Sequence, residues 1–253
     1  MRKSAHHDRI SLQYQSVSSR YDLVKNLPYA FAERETLCAA LPDLTGKSVL
    51  DVACGTGYYS RLFKRLGADR VVGVDIERSM VDCAREIEEE DPLGITYEVH
   101  DAAGLPVLGE FDVVTPIWAF VHAKDAAEYD GMVARCARNL APGGTMVALV
   151  SNPDIDLERM TAYPRYGLSI TPKEKHGDLQ VITIGMDVDP PVSFDGFFWP
   201  AGVTEAAMAK AGLTGVRRRP DLAPGHVDGV NPKGYWTEFV ENPPFALYTA
   251  ERP

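Results

Sequence analysis

The sequence lacks any apolar run approaching the ~18 residues that a membrane-crossing helix needs. Its start, "MRKSAHHDRISLQYQ", is basic but is not followed by the apolar core of a signal peptide. The expectation is a cytoplasmic protein. Cysteines are few: Cys38, Cys54, Cys83 and Cys136 form no CxxC pair and have no histidine at metal-ligand spacing. That argues for reduced thiols and against a disulfide framework or a zinc site. His6 and His7 have no carboxylate or cysteine beside them, so no metal is expected there either. Positive charge is also in deficit, with 26 Lys and Arg against 36 Asp and Glu and a net charge of −10. Phosphate binding draws on clustered Lys and Arg, so nucleic acid and anionic membrane are poor partners. Neither an internal repeat nor a low-complexity tract is present.

What is present suits one soluble α/β unit with an elaboration: 253 residues, 45% hydrophobic and 25% charged. Residues 8 to 41 place apolar positions at helical spacing, broken at "NLPYA", which predicts two helices within residues 1–44. From "GKSVLDVACG" onward short β-branched runs alternate with helical segments. Strands are expected at residues 49–52, "RVVGVDI", "ITYEVHD", "FDVVTPI" and "GGTMVALV", with helices near 58–66, 79–90 and 125–139. This alternation over residues 45–150 predicts a doubly wound parallel sheet covered by helices on both faces. In "NLAPGG" proline stops the helix and glycine permits the return into the next strand. Residues 151–200 hold six prolines and β-like runs at "LQVITIGMDV" and "VSFDGFFW", which predicts an antiparallel insertion or cap. Residues 201–253 should supply a helix near 203–211, the strand "TGVRRR", a loop at about 220–244 and a last antiparallel strand, "FALYTAER". The charge runs "EIEEED" and "RRR" read as solvated faces.

The stretch "VLDVACGTGYYS" puts a carboxylate, Asp51, just before a glycine loop. Gly55 and Gly57 allow close approach of a ligand where free N–H groups and the helix dipole sit. A dinucleotide loop would continue to a third glycine, but Ser60 stands there, and pyrophosphate would face Asp51. A cationic group would instead gain a charge-assisted contact. Asp75, at the end of "VVGVD", is placed for ribose hydroxyls; Asp101 and the Ala102 N–H, in "VHDAAGL", are placed for adenine. The three carboxylates ask for a cationic, ribose-bearing and adenine-bearing ligand without phosphate. The plainer reading of Asp51 is a loop or helix cap.

In order, "VLDVACGTGYYS", "VVGVDIERSM", "HDAAGL", "FDVVTPIWAF" and "RNLAPGG" resemble the successive motifs of the class I S-adenosylmethionine-dependent methyltransferases, over about residues 45–150. The resemblance implies a Rossmann-like sheet, mainly parallel with a final antiparallel strand, in a single methyltransferase domain. It implies S-adenosyl-L-methionine as cofactor, with Asp51, Gly55 and Gly57 around the methionine part, Asp75 on the ribose, and Asp101 and Ala102 at the adenine. Tyr59, Ile76, Met80 and Pro116 join the cofactor site by the same resemblance. Ala53 stands where the family usually has glycine, a mild change that the loop should tolerate. "DRISLQYQ" and "NPPF" also resemble small-molecule methyltransferases of the toxoflavin type, which implies that Tyr14 closes over the methionine end and that the N-terminal helices form a lid.

Around this frame the acceptor pocket is expected to draw on Trp118, His122, Asn152, Phe198 and Trp199. His122 is the candidate general base, because a hydroxyl acceptor benefits from a group titrating near neutrality; otherwise it is a partly buried or capping histidine. His100 should point to the opposite face by strand alternation. Of Tyr58 and Tyr59, one should pack in the core and the other face the cofactor. The expected activity is methyl transfer to nitrogen or oxygen of a small molecule, a specialised metabolite, with a homodimer left open. Two rivals stand beside it: a non-catalytic cofactor-binding module that controls a partner, and a nicotinamide oxidoreductase.

Overall fold

The computed structural model describes residues 21–177, 179–219 and 232–253, for residues 161 and 162 the backbone alone. Two helices come first, α1 (Tyr21–Val24) and α2 (Pro28–Ala40). Proline opens α2 at its first turn, where its missing N–H costs nothing. Then follow β1 (Ser48–Val52), α3 (Tyr58–Arg65), β2 (Arg70–Asp75), α4 (Arg78–Glu90), β3 (Ile95–Val99), β4 (Phe111–Pro116), α5 (Ala126–Arg138) and β5 (Leu140–Ser151). A 3-10 segment, Leu157–Tyr166, leads into β6 (Leu168–Pro172), β7 (Gln180–Met186) and β8 (Val192–Phe198). The chain closes with α6 (Val203–Lys210), β9 (Thr214–Arg219), α7 (Thr237–Glu241) and β10 (Phe245–Glu251).

Seven strands form one sheet in the order β3-β2-β1-β4-β5-β10-β9. The first five are parallel; β10 runs antiparallel to both β5 and β9. The fold is therefore Rossmann-like, mainly parallel with a final antiparallel strand. Strand order reverses between β1 and β4, and the carboxyl ends of strands at such a reversal open a crevice for ligands. Alternation sorts each strand onto two cores. Val49, Val71, Val147, Leu149 and Phe245 join one core with α2, α3 and α4, whereas Leu50, Val72, Val74, Met146 and Ala148 join the other with α5 and α6. The small antiparallel sheet β6-β7-β8 lays Leu168, Ile182, Ile184, Met186 and Phe194 against the first of these cores.

Three elements went unread in the sequence: the 3-10 segment, β6, and α7 inside the span taken as a loop. The first and last are held by aromatic packing between distant segments, Tyr163 and Tyr166 against Trp236 and Phe239. No local propensity carries that information.

At the entry to β5 the pairing with β4 slips between Phe111 and Val113. A Cβ on Gly144 there would lie 2.8 Å from the Ala141 carbonyl and 2.9 Å from that of Phe111, both backbone atoms. Gly131, inside α5, would place its Cβ in open space. Gly144→Ala should therefore destabilise the protein by about 1–3 kcal/mol, and Gly131→Ala should stabilise it by about 0.5–1 kcal/mol. Urea unfolding of both variants checks this; equal effects would contradict the steric reading.

Candidate active site

Alternation places Asp51 on the sheet face covered by α3, next to the buried Val49 and Val52 of β1. There Ser60, in the first turn of α3, donates to Asp51 Oδ2 at 2.6 Å. Asp51 is 1% exposed, and its Oδ1 has no hydrogen-bond partner among the described residues. Burial, only partly offset by Ser60, pushes the carboxyl up to about 7. A buried acid with a vacant oxygen fits a ligand that brings a cation. Ser60 thus occupies the third-glycine position for a reason: it anchors the carboxylate.

The loop after β1 is bent by positive-φ residues. Ala53 has φ 64, so the position favours glycine and alanine bears a modest strain there. Gly57 has φ 80, and a Cβ on it would fall 2.2 Å from the Tyr97 hydroxyl. The Gly55 N–H donates to Asp75 Oδ2 at 2.9 Å, and the Glu77 N–H to Oδ1 at 2.8 Å. Loop and second strand end are thereby fastened together. Asp75 is raised to about 6, chiefly by burial. A carboxylate offers about four lone-pair sites, so it can accept from a ribose hydroxyl as well.

Beyond Asp75 a cleft is lined by Ala53, Ile76, Asp101, Ala102, Ala119 and Met132, among others. Asp101 caps the short turn Ala102–Gly104 through the Ala103 N–H, at 2.8 Å. His100 and His122 also line this cleft. For His100 this corrects the expectation from alternation: β3 ends at Val99, so the two-residue period no longer governs it.

A second, mostly apolar cavity lies between α1, α2, the end of β4 and the small sheet. Tyr21, Lys25, Tyr29, Trp118, Ile184, Met186, Phe194 and Phe245 are among its lining residues. The apolar cavity approaches the glycine loop at Tyr21, whose ring carbon is 3.7 Å from where a Gly55 Cβ would sit. Asp22 holds α1 there, accepting from the Thr56 hydroxyl at 2.5 Å and from Arg61 at 2.8 Å. Behind Tyr21, Glu33 is fully buried and accepts from Lys25 at 2.9 Å, from the Trp118 indole at 2.8 Å and from the Tyr59 hydroxyl.

The structure therefore gathers Asp51, Ala53, Gly55, Gly57, Asp75, Ile76, Asp101 and Ala102 along the strand ends, and puts Trp118 on the cavity. Other expected positions fall elsewhere. Met80 is 1% exposed and packs in the core, because α4 turns it inward. Tyr59 is buried, with its hydroxyl on Glu33, while Tyr58 is half-buried with its hydroxyl accepting from Arg34. Pro116 is buried opposite Val52. Asn152 braces a turn, donating to the Pro243 carbonyl at 2.8 Å and accepting from the Asp154 N–H. Trp199 packs on Tyr129 in the other core, and Phe198 is half-buried away from the cavity lining; Phe194 of the same strand lines it instead. His122 shares the cleft of Asp101, not the cavity of Trp118. Tyr14, His6 and His7 lie outside the described residues. Among the described residues no cluster of His, Cys, Asp or Glu could hold a metal ion, and no helix is long and apolar enough to cross a membrane.

Lys25 and Glu33 were missed. Glu33 had a signal: the buried stripe of α2 runs Tyr29, Ala30, Ala32, Glu33, Thr36, Leu37, so a carboxylate stands where helical spacing calls for an apolar residue.

A doubly wound sheet with a glycine loop at its switch point and carboxylates at successive strand ends defines a nucleoside-binding α/β protein. Residues 49–144 match the family described as a methyltransferase domain. Over those residues the chain is similar to methyltransferases. It is 32% identical over 141 residues to a ubiquinone biosynthesis O-methyltransferase of Coxiella burnetii, covering 55% of this chain and 58% of that protein. It is 29% identical over 174 residues to a demethylmenaquinone methyltransferase of Lactococcus lactis, covering 65% and 67%. The chain thus spans about three fifths of the length of the first of these curated relatives. An S-adenosylmethionine-dependent methyltransferase from Mesorhizobium loti shares the fold at a TM-score of 0.62 and 21% identity, over 87% of this chain and 98% of that one.

The two raised carboxyls fix a pH dependence. Unfolded aspartates titrate near 3.9, whereas Asp75 and Asp51 titrate at about 6 and about 7 in the fold. Between those values the native state holds more protons, so their contribution to stability is full at the acid end and is lost as pH rises through the folded values. Asp51→Asn should gain stability relative to the wild type as pH rises from about 4 to about 7, and the gain should level off above that, measured by urea unfolding. A difference independent of pH would refute the assignment.

Proposed function

We propose that the protein is an enzyme that transfers the methyl group of S-adenosylmethionine to nitrogen or oxygen of a small, mainly apolar molecule, a specialised metabolite. The observation that carries this reading is the place of Tyr21, which lies against the glycine loop and lines the apolar cavity. The bound cofactor supplies an electrophilic methyl group on a sulfonium. Asp51, Gly55 and Gly57 hold its methionine end, Asp75 its ribose, and Ile76, Asp101 and Ala102 its adenine. His122, in the cleft of Asp101, is then a neighbour of the adenine and not a base at the acceptor. The cavity walls align the acceptor's nucleophile for in-line attack, and positioning of this kind contributes on the order of 7–11 kcal/mol in favourable models. A ring-bearing acceptor suits the aromatic lining. The relatives' names, which speak of ubiquinone and demethylmenaquinone, support it. The net charge of −10 favours no nucleic-acid or membrane partner.

Incubation with methyl-labelled cofactor and a panel of aromatic hydroxyls and amines should move label into a small-molecule product. Asp75→Ala should weaken S-adenosylhomocysteine binding by about 10-fold or more, as the loss of a charge-assisted hydrogen bond requires. Ile184→Ser should raise the acceptor KM and leave that affinity unchanged. Tight cofactor binding with no transfer to any acceptor would favour a binding module instead.

A further inference from the structure

Among the described residues the apolar cavity has a single charged side chain in its lining, Lys25. That side chain is 5% exposed, and its ammonium is held in a defined place. The Tyr59 ring centroid lies 4.5 Å from Nζ, with those of Tyr58 and Tyr21 at 5.6 and 5.8 Å. The groups facing it are Glu33 of α2, Tyr21 of α1, Tyr58 and Tyr59 of α3 and, at longer range, Asp51 of β1. Glu33 accepts one N–H of the three that an ammonium carries. The same carboxylate also serves the Trp118 indole and the Tyr59 hydroxyl, so its charge is spread over three donors. Burial alone would lower the Lys25 pKa, yet Glu33 and the tyrosines more than offset it, and the group stays charged.

A fixed cation at the edge of an apolar cavity attracts an oxyanion and repels a substrate ammonium. We propose that Lys25 recognises the acceptor as an oxyanion, so that the acceptor is an apolar ring compound with an acidic hydroxyl, a phenol or an enol, methylated on oxygen. This rests on the methyltransferase reading. The hydroxyl gives its proton to solvent on binding. Its oxygen lone pair then forms the bond to the methyl carbon, the carbon–sulfur bond breaks, and that electron pair stays on sulfur. No histidine base is required, in keeping with the place of His122 beside Asp101.

The test reads ionisation directly, without cofactor. Para-nitrophenol is titrated spectrophotometrically in the presence of excess protein. Bound to the wild type, its pKa should fall by about 1–3 units relative to the free phenol, as expected for an opposite charge within contact range. Lys25→Arg should keep the shift and Lys25→Met should abolish it. Because Lys25→Met leaves Glu33 buried and unpaired, the double variant Lys25→Met/Glu33→Gln, which removes the pair together, is titrated as well and should also show no shift. A probe that does not bind the wild type, or binds with its pKa unmoved or raised, overturns the proposal, as does a shift that survives in the double variant. Calorimetry with S-adenosylhomocysteine on the same wild-type protein separates the two readings. Binding without a phenol shift rejects the role of Lys25 alone; a shift without binding rejects the methyltransferase reading.

Discussion

A carboxylate with no exposed surface, Glu33 on α2, accepts hydrogen bonds from side chains of three other parts of the chain: Lys25 before α2, Tyr59 on α3 and Trp118 after β4. Removing one partner of such a buried ion pair costs about 3–5 kcal/mol, because the remaining charge is left in a medium that cannot solvate it. The arrangement therefore holds as a unit. Trp118 shows what it sustains. Its φ of 59 is a left-handed conformation that a bulky residue avoids, and such strain costs about 1–3 kcal/mol. The indole bond to Glu33, the Trp118 N–H bond to the Leu149 carbonyl at 2.9 Å and an edge contact with Phe245 hold it against that strain. With Trp118 fixed, one wall of the cavity is fixed.

The charges around this point explain each other. Asp51 and Asp75 are both raised because burial removes water and few cations replace it. Lys25 lies within reach of Asp51, but Glu33 takes its first claim at 2.9 Å. The strand ends therefore keep an unmet demand for positive charge, while the cavity keeps a cation of its own. A sulfonium nucleoside would answer the first need.

The sequence exposed the part of this machinery that is local in the chain. Strand, glycine loop and helix from Val49 to Arg65 read directly, since alternation, glycine and helical spacing act within a few residues. So did the acids at the ends of β2 and β3. The acceptor side was legible only in part, because it depends on which face a residue takes and on partners far along the chain. In "FDGFFWP" the aromatic residues look equivalent, yet β8 turns Phe194 toward the cavity, and Trp199, past the end of the strand, falls into the opposite core against Tyr129. Asn152 seemed free to meet a ligand but is spent on the Pro243 carbonyl. Met80 and Tyr59 were assigned by family pattern, and the helices bearing them turn both into the protein.

The contrast has a physical basis in what each half is made of. The cofactor side is tied by backbone groups: the N–H groups of Gly55 and Glu77 on Asp75, and that of Ala103 on Asp101. Such contacts depend on the path of the chain more than on side-chain identity, so they survive changes elsewhere. The apolar cavity is built in part from side chains on a separate antiparallel sheet, where Ile184, Met186 and Phe194 present one face to it. Substituting any of these changes the cavity's volume or polarity, while the strands that carry Asp51 and Asp75 keep their pairing in the main sheet. The cavity lining can therefore vary on this scaffold independently of the strand ends, with Lys25 and Glu33 at the seam as the residues through which a change on one side would reach the other.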